Sequence, residues 1–144
     1  MDLATIKLAA ATNPIEAGRI ILVLVVVFQV KHFVADFPLQ NRYMLQKTRS
    51  DWSFIPPLAL HCAIHAMITL AIVSFIDVKL WWLALVDFFV HFTMDRIKAG
   101  PRYLGRFRDT SSIGFWMSFG VDQMVHHFTH YWITWTLFVS ILQP

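Results

Sequence analysis

The 144-residue chain has few charged residues, one cysteine and one glutamate. Only 15% of its residues are charged, against about a quarter in an ordinary soluble domain, while 57% are hydrophobic and the mean hydropathy is +0.55. This composition excludes a disordered chain, a soluble nucleic-acid-binding module and a solvated globule, and it indicates a membrane protein. The single cysteine, Cys62, excludes an intrachain disulfide and a zinc-ribbon motif. The single glutamate, Glu16, leaves no HExxH motif and argues against a glutamate-rich di-iron site.

Four apolar segments have the length of roughly 20 residues that a bilayer core requires. They cover residues 15–37, 55–76, 80–97 and 113–142. Asn13, Pro14 and Glu16 form a helix-start pattern before the first segment. Residues 1–12 are too weakly apolar to span and show no clear cleavage site, so no removable signal peptide is predicted. The sequence therefore predicts an all-α fold, a four-helix transmembrane bundle with a polar His/Asp interior, as a single integral membrane domain over residues 1–144.

The basic residues predict the orientation of this bundle. With four spans, the loops 38–54 and 96–112 lie on one side with eight Lys and Arg, and the opposite side carries three. The positive-inside rule then places both longer loops in the cytoplasm and both termini outside, in the inner (cytoplasmic) membrane. The net charge is +3, but the basic residues flank apolar runs and cover no face. We therefore expect membrane lipids as partners and no nucleic acid, and a homo-oligomer stays open.

All seven histidines lie inside the apolar segments, together with four of the nine acidic residues besides Glu16 of the helix-start pattern. Ionisable groups in a span are costly and generally face the bundle interior. Six His–Asp or His–His pairs are four residues apart, where random placement gives about one. Residues four apart share a helix face and can converge on one ion. Four of these pairs fall at one predicted depth: His32 and Asp36, His61 and His65, His91 and Asp95, and Asp122 and His126.

These eight side chains offer nitrogen and oxygen donors in excess of what one tetrahedral ion needs. We expect them to hold two divalent transition-metal ions, zinc first with manganese or iron as alternatives, because calcium and magnesium prefer all-oxygen ligands. Asp36, Asp95 and Asp122 are the candidate catalytic residues, as bridging ligands or as the general base. The alternative is that the pairs are polar contacts between helices, worth about 0.6 kcal/mol each on average.

Other polar residues lie close to these pairs in the sequence. Asp87, Gln123 and His130 are expected to orient a ligand or to be additional ligands. Four residues that follow the paired positions are candidate contacts for an anionic substrate: Gln40, Lys47, Arg96 and Lys98. The alternative for these loops is that they satisfy the positive-inside bias and touch anionic lipid.

Four ordered motifs carry a resemblance to a known family. The runs are His32-Phe-Val-Ala-Asp36-Phe-Pro-Leu-Gln40, His61-Cys-Ala-Ile-His65-Ala, His91-Phe-Thr-Met-Asp95-Arg-Ile-Lys98 and Asp122-Gln123-Met-Val-His126. They resemble a family of small bacterial and phage integral membrane proteins known as a domain of unknown function, over residues 30 to 130. The resemblance implies a compact multi-pass helical protein that brings these residues together, and it implies no activity. A looser likeness, in the His/Asp-rich apolar helices alone, is to membrane proteins labelled metal-dependent hydrolases.

Three functions remain open from the sequence. The first is a membrane-embedded metal-dependent hydrolase acting on a lipid-linked or amphiphilic (phospho)ester, since two bridged ions activate water and clamp an oxygen. The second is a transition-metal transporter, because His-xxx-Asp pairs on facing helices resemble zinc-exporting sites. The third is a non-catalytic interaction protein in which the His–Asp network is polar packing. Whether the chain is an enzyme is therefore uncertain at this point.

Overall fold

The structure, a computed structural model, describes residues 3–143 and is all-helical over that range. The α-helices are α1 Leu3–Thr12, α2 Pro14–Asp36, α3 Ile55–Ile76, α4 Trp82–Ala99 and α5 Ile113–Leu142. Short 3-10 helices lie in the connections at Met44–Thr48, Trp52–Phe54, Val78–Leu80 and Leu104–Arg106. The all-α prediction is confirmed.

The four-helix prediction left out α1. This segment, LATIKLAAAT, is short and weakly apolar, but it is rich in the strong helix formers Ala and Leu. It packs against α2 and α5, and Ala10 is buried there with a side chain in the apolar core. Tertiary packing therefore adds a fifth helix where hydropathy alone showed no span.

The sequence explains where the long helices begin and end. Asn13 caps α2, because its Oδ1 accepts a hydrogen bond of 2.9 Å from the Ile15 amide, and Pro14 occupies the first helical position. Glu16 takes no part in this cap and pairs with Arg19 at 2.6 Å. α3 carries two prolines in its first turn, and α4 ends before a Gly-Pro pair.

The bundle has two unlike ends. Apolar side chains fill one end, which is formed by the start of α2, the end of α3 and the last turns of α5. They include Leu24, Phe28, Val73, Leu83 and Leu137. We call this end the apolar end. The opposite end, where the connections 37–54 and 100–112 lie, is called the loop end. The paired His and Asp residues are buried between the two.

Two helical segments, Pro14–Asp36 and Trp52–Ile76, are long and apolar enough to cross a membrane. Within the most apolar 18 residues of each segment, only 22% of the first and 28% of the second is buried. Most of their apolar side chains therefore face outward. α4 and α5 are long enough, but they are not apolar enough to count as membrane-crossing helices by the same criterion. α4 carries four charged side chains, and the histidines, Asp and Gln of α5 lower its hydropathy.

Candidate metal centre

Four helices bring the eight predicted metal ligands into one polar cluster. Each helix contributes one pair of residues four apart, which lie on the inward face of that helix. The pairs are His32 and Asp36 on α2, His61 and His65 on α3, His91 and Asp95 on α4, and Asp122 and His126 on α5. All are buried except Asp36, which is half-buried and faces the loop end.

The carboxylate of Asp36 meets three imidazoles from two helices. Its Oδ1 lies 3.3 Å from His61 Nε2 and 3.2 Å from His65 Nε2. Its Oδ2 lies 3.1 Å from His32 Nε2. Asp36, His61 and His65 therefore form one group whose ligand atoms all lie within 4.8 Å of one another, which is close enough to share an ion.

Asp95, Asp122 and His126 form a second such group. His126 Nε2 lies 3.8 Å from Asp95 Oδ1, and His126 Nδ1 lies 3.7 Å from Asp122 Oδ1. His61 joins the two groups, because the same Nε2 that faces Asp36 lies 3.2 Å from Asp95 Oδ2. The two groups therefore lie side by side, as two neighbouring ions would need, although the single lone pair of His61 Nε2 can bind only one of them.

The hydrogen bonding of the cluster fits a metal centre. Among the described residues, both ring nitrogens of His32, His61 and His126 are buried without a hydrogen bond of acceptable geometry. Asp122 Oδ1 is buried and unpaired in the same way. A buried polar atom without a partner costs about 1–3 kcal/mol, and several of them converge on one small volume here. A divalent ion coordinated by imidazole and carboxylate satisfies such atoms together.

A third polar group lies one helical turn toward the apolar end. Asp87 Oδ2 accepts hydrogen bonds from Lys31 Nζ at 2.6 Å and from Thr69 Oγ1 at 2.7 Å. Asp87 Oδ1 lies 3.2 Å from His91 Nδ1 and 3.3 Å from His130 Nε2. Asp87, His91 and His130 have the spacing of a metal site, but the Lys31 ammonium already neutralises the carboxylate.

Sequence reasoning placed Asp87 and His130 near the centre but assigned no role to Lys31 or Thr69. The signal for Lys31 was present, since it is a cation inside an apolar run and such a residue needs a buried partner. Thr69 gave no signal beyond its position one turn after His65 on α3.

A cavity of about 590 Å³ opens from the cluster toward the loop end. Its wall includes the three candidate catalytic carboxylates, Asp36, Asp95 and Asp122, and three cations, Lys47, Lys98 and Arg108. Lys47 Nζ lies 2.7 Å from Asp95 Oδ2, and Lys98 Nζ lies 3.2 Å from Asp122 Oδ2. Aromatic and aliphatic side chains complete the wall, among them Phe37, Leu45, Phe107, Phe115 and Phe119.

The predicted anion contacts do not all reach this cavity. Gln40, Lys47 and Lys98 line it, and so does Gln123, whose Nε2 donates to Asp122 Oδ2 at 3.1 Å. Arg96 does not line it. Its guanidinium donates to the Arg49 carbonyl at 2.9 Å and lies 3.5 Å from the centroid of the Phe54 ring.

Arg108 lines the cavity although the sequence did not single it out, because the loop 100–112 has no periodicity from which to place it. Two glycines fix this loop. A Cβ at Gly105 would lie 2.5 Å from the Ala99 carbonyl oxygen, and one at Gly114 would lie 2.7 Å from the Phe107 ring. The loop therefore packs against the end of α4 and the start of α5.

In the same loop, hydrogen bonds from Ser111 lower the pKa of Asp109 below its ordinary value.

Comparison with known protein families identifies the family of this chain. The family model described as "Protein of unknown function (DUF3307)" matches residues 23–143. The chain belongs to this family. The DUF3307 match includes all eight residues of the candidate centre, and it agrees with the resemblance to an uncharacterised family that the four motifs indicated. No curated protein and no solved structure matches the chain, so its function is argued from the geometry of the centre.

Proposed function

We propose that this protein is an integral membrane metalloprotein with a dinuclear His/Asp centre, and that it hydrolyses a lipid-linked or amphiphilic phosphoester. The observation that carries the proposal is the cavity at the loop end. It joins the three carboxylates of the candidate centre to three cations and an aromatic wall in one space.

In this proposal four helices cross the membrane: the two apolar segments already described, together with α4 and α5. Side chains such as Val23, Val26 and Val30 are exposed on α2 while six of the seven histidines are buried, which is the reverse of a soluble domain. An exposed apolar surface of this extent suits lipid contact. α4 and α5 supply four of the eight residues of the candidate centre, and the count of basic residues supports a cytoplasmic position for the loop end and the cavity.

The metal part assigns one ion to each linked group. Asp36, His61 and His65 would hold the first ion, and Asp95, Asp122 and His126 the second. His32 and His91 lie beside both, with the His91 ring 4.2 Å from the His126 ring between centroids. Zinc suits this mixture of imidazole and carboxylate, with manganese or iron as alternatives. Two divalent ions with one hydroxide also balance the charge of the three carboxylates.

The ions would supply a nucleophilic water at neutral pH and a counter-charge for the phosphoryl oxygens. The chain supplies the rest. Asp36 faces the cavity and accepts the proton of the attacking water, Lys47 and Lys98 bind the phosphate, and the aromatic wall holds the apolar chain. Water attacks phosphorus, the bond from phosphorus to the leaving alcohol oxygen breaks, and the proton passes to that alcohol.

Transport of a transition metal is the second candidate. It is favoured by the series of His/Asp groups that leads from the cavity to Asp87. Two observations rank it below hydrolysis. The series ends at Lys31, a fixed buried cation, and beyond it the apolar end offers no polar path in the described part of the chain. Polar packing without a metal is the third candidate, and the unpaired ring nitrogens count against it.

A hydrolysis assay tests the proposal. Purified protein in detergent is loaded with zinc or manganese and incubated with dihexanoyl phosphatidic acid, and released phosphate is measured. We expect release that a chelator abolishes and that Asp36→Asn lowers at least about 100-fold. A matched control, Asp77→Asn, changes a half-buried acid that does not line the cavity and should leave the rate unchanged. Zinc flux into proteoliposomes without phosphate release would favour transport instead.

A further inference from the structure

We propose that the cavity is a phosphate-anion site that is blocked by its own carboxylates until a divalent cation binds. Lys47 and Lys98 are paired with Asp95 and Asp122, and loss of those partners frees both ammonium groups for the anion. This inference deepens the proposed function and rests on it for the identity of the metal.

The two lysines pair with the same two carboxylates that would hold the second ion. Lys47 contacts Asp95 through Oδ2 and Lys98 contacts Asp122 through Oδ2, while the Oδ1 atoms of both aspartates face His126. A transition metal lies about 2.0–2.2 Å from a carboxylate oxygen. An ammonium at hydrogen-bond distance from the same carboxylate would be repelled by that ion. The ion and the two lysines therefore compete for the same two side chains.

The lysines differ from Lys31 in having space to move into. Lys31 is 1% exposed and is enclosed by the bundle. Lys47 is 15% exposed and Lys98 is 38% exposed, and both line the cavity. Each side chain has four rotatable methylene groups, so its ammonium can swing from the carboxylate into the cavity without any change in the backbone.

The charge of the cavity wall supports an anion as the ligand. The wall carries three acidic and three basic side chains, so it is formally neutral without metal. Each divalent ion adds two positive charges, and the freed lysines then face the cavity beside Arg108. An excess of positive charge around one cavity attracts an anion. Gln40 adds a neutral donor to the same wall, because its Nε2 has a second proton besides the one that it donates to the Asp36 carbonyl. This set of groups suits phosphate oxygens.

The apolar part of the wall makes an amphiphile the better occupant. Phe107, Phe115 and Phe119 lie beside the cations, and Lys98 Nζ is 5.2 Å from the centroid of the Phe119 ring. Phosphate with an acyl chain would place its headgroup at the lysines and its chain on these rings. Free phosphate shares the headgroup chemistry but gains nothing from the rings.

The test separates release of the lysines from direct contact with a metal. Binding of inorganic phosphate and of dihexanoyl phosphatidic acid is measured by calorimetry on metal-free protein in detergent. In Asp95→Asn/Asp122→Asn both lysines lose the negative charge of their partners without any metal present. We expect this variant to bind phosphatidic acid about tenfold or more tightly than metal-free wild type. Adding Lys47→Met and Lys98→Met should abolish the gain.

A matched control has the same change in net charge. Asp51→Asn/Asp77→Asn replaces an exposed and a half-buried acid outside the cavity, and asparagine keeps the caps that both residues provide. This control should bind like wild type. If the double variant at Asp95 and Asp122 does not fold, as judged by circular dichroism, Asp122→Asn alone frees Lys98 and should still tighten binding.

The outcomes distinguish this inference from the proposed function. Binding no tighter in the freed-lysine variants than in metal-free wild type would overturn the inference, even if wild-type protein binds metal. Tighter binding in those variants, with no metal bound by wild type, would support the anion site and refute the metal centre. Tighter binding of phosphatidic acid than of inorganic phosphate would support an amphiphile. Equal tightening of both would support free phosphate in the same site.

Discussion

Replacement of Lys31 by methionine tests how strongly the buried ion pair holds the bundle together. Lys31 and Asp87 are 1% and 0% exposed and their charged atoms are 2.6 Å apart. If the pair acted as an average polar contact between membrane helices, its loss would cost about 0.6 kcal/mol. Removal of one member of a fully buried pair instead leaves an unpaired charge and costs about 3–5 kcal/mol. The burial of both groups leads us to expect the larger value for Lys31→Met.

The assay is equilibrium unfolding in mixed micelles with an increasing fraction of dodecyl sulfate, followed by tryptophan fluorescence. The control is Lys31→Met/Asp87→Asn, which removes both charges and should be more stable than the single variant. Zinc should restore part of the lost stability in Lys31→Met, because Asp87, His91 and His130 then offer a free metal site. A cost below about 1 kcal/mol for the single variant would refute the reasoning.

Three further predictions follow from packing and exposure. Gly114→Val should push the Phe107 ring out of the cavity wall and weaken phosphatidic acid binding several-fold while metal content is unchanged, as checked by calorimetry and elemental analysis. Val26→Lys places a charge on the exposed apolar face at the middle of α2 and should cost about 2.5–3.5 kcal/mol of insertion. Carbonate extraction measures this loss against Ser50→Lys in a loop. Cys62 is fully buried and should react with a maleimide only after unfolding.

The spacing of polar residues is what made the candidate centre predictable. A separation of four residues puts two side chains on one helix face, and helices of alternating direction fix the depth at which the faces meet. His61 and His65 therefore face Asp36 across the bundle as expected. These relations depend on helix geometry alone, which a sequence determines well.

The features that the sequence did not predict depend on tertiary packing. α1 forms because it packs on α2 and α5, and a weakly apolar segment gives no such signal. Arg96 and Arg108 lie in similar basic stretches, but the path of the loop 100–112 brings Arg108 to the cavity. Arg96 packs instead on Phe54 in the other connection. Nearness in sequence to Asp95 was therefore a poor guide to nearness in space.

The metal content of the protein tests the central claim most directly. Elemental mass spectrometry is made on detergent-purified protein without a histidine tag, beside His61→Ala and His127→Ala. His61 lies between Asp36 and Asp95, whereas His127 is half-buried and belongs to none of the ligand groups found among the described residues. We predict about two equivalents of zinc, manganese or iron in wild type and in His127→Ala, and a sharp loss in His61→Ala. No metal above background in wild type, even after reconstitution, would contradict the account.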